Sequence, residues 1–314
     1  MEKVMELLQN LQNKTYYYKI YGLILKSPFK FSELVEIEKN INKDVDVTIQ
    51  ISIIDKRITS NLEKGIDHSF EENDSWFSVK ETAIYHVKNG NEIIVEPKCT
   101  DINKIKCFIL GSAFGIILIQ RKIVAIHGGT ILINNKGIII TGKMGAGKST
   151  LTSGLRLKGY KFLADDVSVI TKESNSIFVN PAYPQQKLCK DAAIKFGLNI
   201  KDLLLLDEDR EKYAIPSRDK FHLNKSKLNC IFEILVNDNE INKSVVVEEV
   251  MGVEKLNRII DNIYRVEIAK KIGIKGKYFV NILDIAKDIK YFKILRPKGV
   301  FSINEQINLI EELC

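Results

Sequence analysis

The sequence predicts an α/β protein: a phosphate-loop core, a small, mostly β domain before it, and a helical tail after it. Three observations carry this. The β-branched run Ile138–Ile140 leads into Gly142-Lys143-Met144-Gly145-Ala146-Gly147-Lys148-Ser149, a full match to G-x-x-x-x-G-K-[ST], and Leu151, Leu155 and Leu157 then recur at helical spacing. Ahead of position 100, alternating runs such as Val45–Ile53 are bounded by turn residues. Toward the C-terminus the periodicity is helical, at Val253–Asn262, Tyr278–Ala286 and Asn304–Leu313. The expected division is residues 1–99 and residues 100–314.

Along the chain, the first residues (MEKVMELLQNLQNK) place charge and leucine at helical spacing and lack a signal peptide's apolar centre. Tyr16–Lys26, Val45–Ile53, Trp76–Val79, Thr82–Val87 and Glu92–Glu96 read as strands. Asn89-Gly90 marks a hairpin, since both residues tolerate positive φ. Nothing in this β-rich part suggests chemistry, and Asp67-His68 reads as a surface loop. Ile105–Ile119 is apolar, yet it contains Lys106 and is short for a bilayer, so a buried helix is expected.

Ile123–Ile126 reads as a strand ending at His127-Gly128-Gly129, followed by one more strand into the loop. After the loop helix, Gly159-Tyr160 is the stop, and Lys161–Ile170 reads as a single strand carrying Asp165 and Asp166. Neighbouring strand residues point to opposite faces, so the two carboxylates serve equally only if the strand ends or bulges there. Pro181–Lys190 is stiffened by two prolines, Asp207–Arg218 reads as a polar, mobile stretch, and Leu228–Val236 is a core strand continued after a turn by Ser244–Glu248.

The loop pattern predicts a bound nucleoside triphosphate. Backbone N–H groups of Gly142 to Ser149 would face the polyphosphate at a helix N-terminus, with Thr150 counted among them. Lys148 would reach the β- and γ-phosphates, and Ser149 would ligate Mg²⁺. One of Asp165 and Asp166 would share the metal while the other serves the second substrate. Lys187 and Lys190 could approach the phosphates but read as solvated, and Arg210 and Arg218 offer the planar cation that phosphoryl transfer would use, although neither alone is read as a site residue.

Composition excludes other classes. Only 8 of 47 basic residues are arginine, and no basic run interleaves with aromatics, so the net charge of +7 does not indicate nucleic-acid binding. Five scattered cysteines without C-x-x-C spacing argue against a disulfide framework or a zinc site and suit a reducing cytosol.

The segments Ala125-Ile126-His127-Gly128-Gly129, the phosphate loop, Lys158-Gly159-Tyr160 and Leu163-Ala164-Asp165-Asp166 resemble the C-terminal catalytic domain of the HPr kinase/phosphorylase family. The likeness is greatest to its relatives among peptide-modification genes, such as lasso-peptide precursor kinases. Tyr18–Leu23, Pro181-Ala182-Tyr183-Pro184 with Leu188, and Tyr291–Pro297 resemble flanking parts of that family. The resemblance implies a phosphate-loop kinase core of HPr kinase type. It also implies a cytoplasmic, ATP- and Mg²⁺-dependent enzyme that phosphorylates Ser or Thr of a peptide or protein, with no nucleic-acid or membrane partner; self-association stays open. It implies that His127 is an active-site histidine, with Lys148, Asp165 and Asp166 catalytic and Ser149 and Asp166 at the metal; it also leans toward Asp165 as the base. The family's Arg-Gly-rich signature for the reverse reaction is not found in this sequence. A small-molecule hydroxyl kinase and a nucleotide-dependent regulator are the competing readings.

Overall fold

The computed structural model describes residue 11 and residues 14–38, 44–207, 211–237 and 244–314. The expected N-terminal helical segment and Arg210 lie outside the described residues. The architecture is mixed α/β, in two compact units: Met1–Val124 with Arg265–Val280, and Ala125–Tyr264 with Asn281–Cys314.

The first unit is built on one eight-stranded sheet. Its strands are β1 (Tyr16–Ile20), β2 (Leu23–Ser27), β3 (Val35–Glu36), β4 (Val47–Ile51), β5 (His68–Phe70), β6 (Asp74–Val79), β7 (Ala83–Lys88) and β8 (Glu92–Pro97), in the order β3-β1-β2-β4-β8-β7-β6-β5. Tyr16–Lys26 is therefore not one strand. Tyr21 and Gly22 both take positive φ, and the chain folds back there as a hairpin. The Asn89-Gly90 turn joins β7 to β8 with φ of 50° and 66°, as its residues require. His68 sits on the short strand β5 and pairs with the adjacent Asp67 at 2.6 Å, both side chains exposed.

The apolar segment forms a continuous helical stretch over Ile102–Gln120, with a π-helical turn at Ile109–Ala113. At 19 residues it is long and apolar enough to cross a membrane by length and composition, so shortness does not argue against a span. Its packing does. Ile105, Ile109 and Phe114 are fully buried inside the unit, the Tyr85 hydroxyl donates to the Ile105 carbonyl at 3.1 Å, and Lys106 Nζ donates to the Lys30 carbonyl. It is a core helix.

In the second unit, β9 (Val124–Ile133), β10 (Lys136–Gly142), β11 (Phe162–Ala164), β12 (Val167–Glu173), β13 (Ser176–Asn180), β17 (Ser226–Asn237), β18 (Val246–Glu249) and β19 (Lys290–Pro297) share a sheet of order β10-β9-β12-β13-β17-β19-β18. Strand β10 also pairs with β17, and β11 with β9. A separate three-stranded sheet holds β14 (Gln185–Cys189), β15 (Leu204–Asp207) and β16 (Lys212–Pro216) in the order β14-β16-β15. Within the polar Asp207–Arg218 stretch, Lys212–Pro216 forms strand β16, because its partners β14 and β15 supply the ladder that local composition does not reveal.

Strands β10, β17 and β19 run parallel, with Gly142 opposite Ile234 and Ile234 opposite Ile294. Ile138, Ile139 and Ile140 are completely buried, as expected for a strand covered on both faces. The C-terminal part is not simply a helical tail. Helices Gly252–Asp261 and Ile303–Leu313 form as the periodicity predicts, but β19 between them is a full member of the central sheet.

Candidate active site

Strand β10 ends at Gly142, and the loop helix runs over Lys148–Leu157. Gly142 and Gly147 take φ of 137° and 108°, values that L side chains rarely adopt. A Cβ on Gly142 would also stand 2.5 Å from the Ile234 carbonyl oxygen, so the turn and the close packing on β17 both need glycine. Gly147 is the N-cap and no side chain caps this helix, which leaves the first-turn amides oriented as an anion site would need them. Lys148 Nζ donates to the carbonyls of Gly142 at 2.7 Å and Lys143 at 3.2 Å, which holds the ammonium against the loop. Met144 is exposed, and Ala146 is buried beneath the loop.

On β9, every residue but one is buried, and the exception is His127. The antiparallel register pairs Gly128 with Thr141, so His127 lies one step further along, beside the point where the loop leaves β10. Gly128 is required here: a Cβ would meet the Ile140 carbonyl oxygen at 2.3 Å. Gly128→Ala is expected to lower stability by about 1–3 kcal/mol, since backbone rather than a pliable side chain stands in the way. An unchanged urea midpoint would show that β9 and β10 are not so closely apposed.

The expected strand Lys161–Ile170 is broken. It ends at Ala164 and resumes at Val167, with Asp165 and Asp166 on the bend between β11 and β12. Gly128 N donates to the Asp166 carbonyl at 3.0 Å, which seats the bend against β9. The two carboxylates then diverge. Asp165 Oδ2 accepts from the Lys187 amide at 2.7 Å and Oδ1 from Gln186 Nε2 at 3.4 Å, anchoring β14. Asp166 Oδ1 lies 3.8 Å from His127 Nε2, and its Oδ2 lies 3.9 Å from Lys187 Nζ. The His127 ring leans on Tyr264, with centroids 5.9 Å apart.

Several residues at this site were not singled out by the sequence pattern. Arg296, near the end of β19, donates through Nε to the Ala146 carbonyl at 2.7 Å, and burial lowers its pKa. Arg156, on the loop helix, donates to Ser217 Oγ at 2.7 Å. Burial lowers its pKa, while the charges of Asp219 and Asp165 oppose that shift. Glu233, opposite Thr141 on β17, is buried and accepts from Arg258 Nη1, Asn262 Nδ2 and the Tyr291 hydroxyl at 2.9, 3.1 and 3.0 Å. Thr141 Oγ1 contacts both the His127 carbonyl and Asn262 Oδ1, so this buried network reaches the strand behind the loop and the residue beside it. Burial, then the Glu233 charge, pushes the Tyr291 hydroxyl pKa well up. Lys187, read as solvated, is at the aspartates; Lys190 instead pairs with Glu211 at 2.5 Å. Arg218 lies on a 3-10 turn over Arg218–Lys220.

Among the described residues, no group of three or more His, Cys, Asp or Glu side chains is arranged to hold a metal ion. That is compatible with Mg²⁺, which commonly takes one or two carboxylates together with substrate phosphates and waters rather than a full protein cage.

No protein-family model matches this chain, and no curated protein matches it. Among solved structures it is similar to the Hpr(Ser) kinase/phosphatase from Coxiella burnetii, with 15% identity and a TM-score of 0.31, covering 60% of this chain and 97% of that one.

Proposed function

We propose that the second unit is an ATP- and Mg²⁺-dependent kinase that transfers the γ-phosphoryl group to a Ser or Thr hydroxyl of a peptide or protein, such as a ribosomally made peptide precursor. One observation carries the reading: the register of β9 on β10 sets the start of a complete phosphate loop beside the His127–Asp166 pair. Phosphoryl transfer asks mainly for positioning and electrostatic stabilisation. The loop amides and Lys148 hold the phosphates. Asp166, beside His127, takes the proton of the acceptor hydroxyl as its oxygen bonds to the γ-phosphorus. The bond from that phosphorus to the β–γ bridging oxygen breaks, and ADP leaves. Ser149 and Asp165 would hold Mg²⁺ with the phosphates, and the ion would offset charge on the transferring group.

The acceptor class is tested by incubating the full chain with labelled ATP and a peptide library, followed by mass spectrometry. Phosphoserine or phosphothreonine supports the proposal. Label on small hydroxyl compounds alone would make it a small-molecule kinase, and slow hydrolysis with no acceptor would make it a nucleotide-dependent regulator. Turnover should fall to background in excess EDTA and return with added Mg²⁺; undiminished turnover in EDTA would contradict the assigned metal. A cytosolic setting fits the five cysteines, all of them free thiols.

A further inference from the structure

The spacing of the five cysteines marks no framework, yet the fold brings two of them together. Cys230 Sγ and Cys314 Sγ stand 3.9 Å apart, although the residues are 84 positions apart in the chain. Cys230 is buried on β17, where the strand register holds its backbone between Ile138 of β10 and Lys290 of β19. Cys314 is half-buried and follows the last helical residue, Leu313, outside any strand ladder. A disulfide needs its sulfurs about 2.05 Å apart. A small movement of the residue at the helix end closes the gap while the strand residue stays in place.

The two sulfurs also differ as thiol oxidation requires. The hydrogen bond with Cys230 lowers the Cys314 thiol pKa; burial opposes the shift, and Asn229 and the Lys136 charge add to it. The same contact, together with burial, pushes the Cys230 thiol up. Cys314 is thus the thiolate-forming partner that solvent reaches, and Cys230 is the buried one that stays protonated.

The pair bears on the loop helix. Ile303, Ile307 and Ile310 of the last helix share one core with Leu151 and Leu155 of the loop helix and with Cys230 itself. Glu311 accepts from Lys158 Nζ at 2.7 Å and from the Tyr160 hydroxyl at 2.6 Å, where the loop helix ends.

We infer that Cys230 and Cys314 form a reversible oxidation site, in which a peroxide joins them as a disulfide and clamps the last helix to the central sheet. The Cys314 thiolate attacks one oxygen of hydrogen peroxide, the O–O bond breaks and hydroxide leaves, giving a sulfenic acid. The Cys230 sulfur then attacks the sulfenic sulfur, and its proton leaves with the displaced hydroxide as water. In all, the two thiols lose two electrons and two protons, and the peroxide is reduced to two waters. A dithiol reductant reverses the bond by exchange, and a transient disulfide of this kind is compatible with a reducing compartment. The inference does not depend on the nucleotide reading.

The test treats the full chain with hydrogen peroxide under native conditions, alkylates it, and maps it by mass spectrometry without reduction. A peptide pair joined through Cys230 and Cys314 is expected ahead of modification at Cys107 and Cys189, although those two thiols are exposed. Closing so long a loop should raise the melting temperature by roughly 4–10 °C, and dithiothreitol should bring it back. Cys230→Ser and Cys314→Ser should each abolish both the cross-link and the rise; the second, at a half-buried position, keeps the test decisive if the core variant does not fold. Oxidation confined to Cys107 or Cys189, a Cys314 sulfinic acid with Cys230 still free, or a cross-link that leaves the melting temperature unchanged would overturn the proposal.

Discussion

Lys148→Ala is expected to reduce phosphoryl transfer by roughly a hundred- to a thousandfold, the scale of losing one preorganised group on a developing charge. The side chain belongs to the loop and not to the core, since its ammonium donates to the carbonyls of Gly142 and Lys143. Removal takes a positive charge from the proposed phosphate site while the buried Ala146 of the loop and Leu151 and Leu155 of the helix remain in place. Circular dichroism and the melting temperature should therefore change little. Mg-ATP affinity and single-turnover rates, measured on the same preparation, report the loss. Full turnover in the variant would mean that this glycine-rich turn does not hold the transferring nucleotide.

The second large effect separates the aspartates. Asp166→Asn should keep Mg-ATP affinity and lose turnover by roughly a hundred- to ten-thousandfold, as expected when a general base is removed. Asp165→Asn should weaken Mg²⁺-dependent ATP binding. It should also loosen β14, because an amide in place of the carboxylate accepts less strongly from the Lys187 N–H and from Gln186. The family resemblance leans the other way, toward Asp165 as the base. The assignment proposed above is the reverse, with Asp165 on β14 and Asp166 beside His127 at 3.8 Å. Calorimetry and single-turnover phosphorylation on both variants decide between them. Two variants with the same losses, or two fully active ones, would remove the division of labour altogether.

Much of the second unit was legible from local pattern. The isoleucine run of β10, the loop and the helix from Lys148 form where their residues place them, because strand burial, glycine conformations and helical spacing are all written within fifteen residues. The hairpin at Asn89-Gly90 was legible for the same reason. The bend at Asp165-Asp166 was not. Lys161–Ile170 has the composition of one strand, and the break arises where the Gly128 amide captures the Asp166 carbonyl and Asp165 binds β14.

His127 entered through the family resemblance; by itself, the sequence set out a phosphate-loop pattern with its strand and helix, a β-rich first part, and Lys148, Asp165 and Asp166 as candidate residues. These follow from short-range conformational preferences and residue chemistry, which need no knowledge of distant partners. Tertiary structure decided which strands run beside the loop, and so brought Arg296 to the Ala146 carbonyl across 150 positions of chain and Glu233 opposite Thr141. It also decided that Lys187 faces Asp166, that the two aspartates point to different partners, and that Gln306 is buried with one acceptor unmet. Those features depend on parallel strand register and on packing between segments far apart in sequence, where no local pattern records the partner.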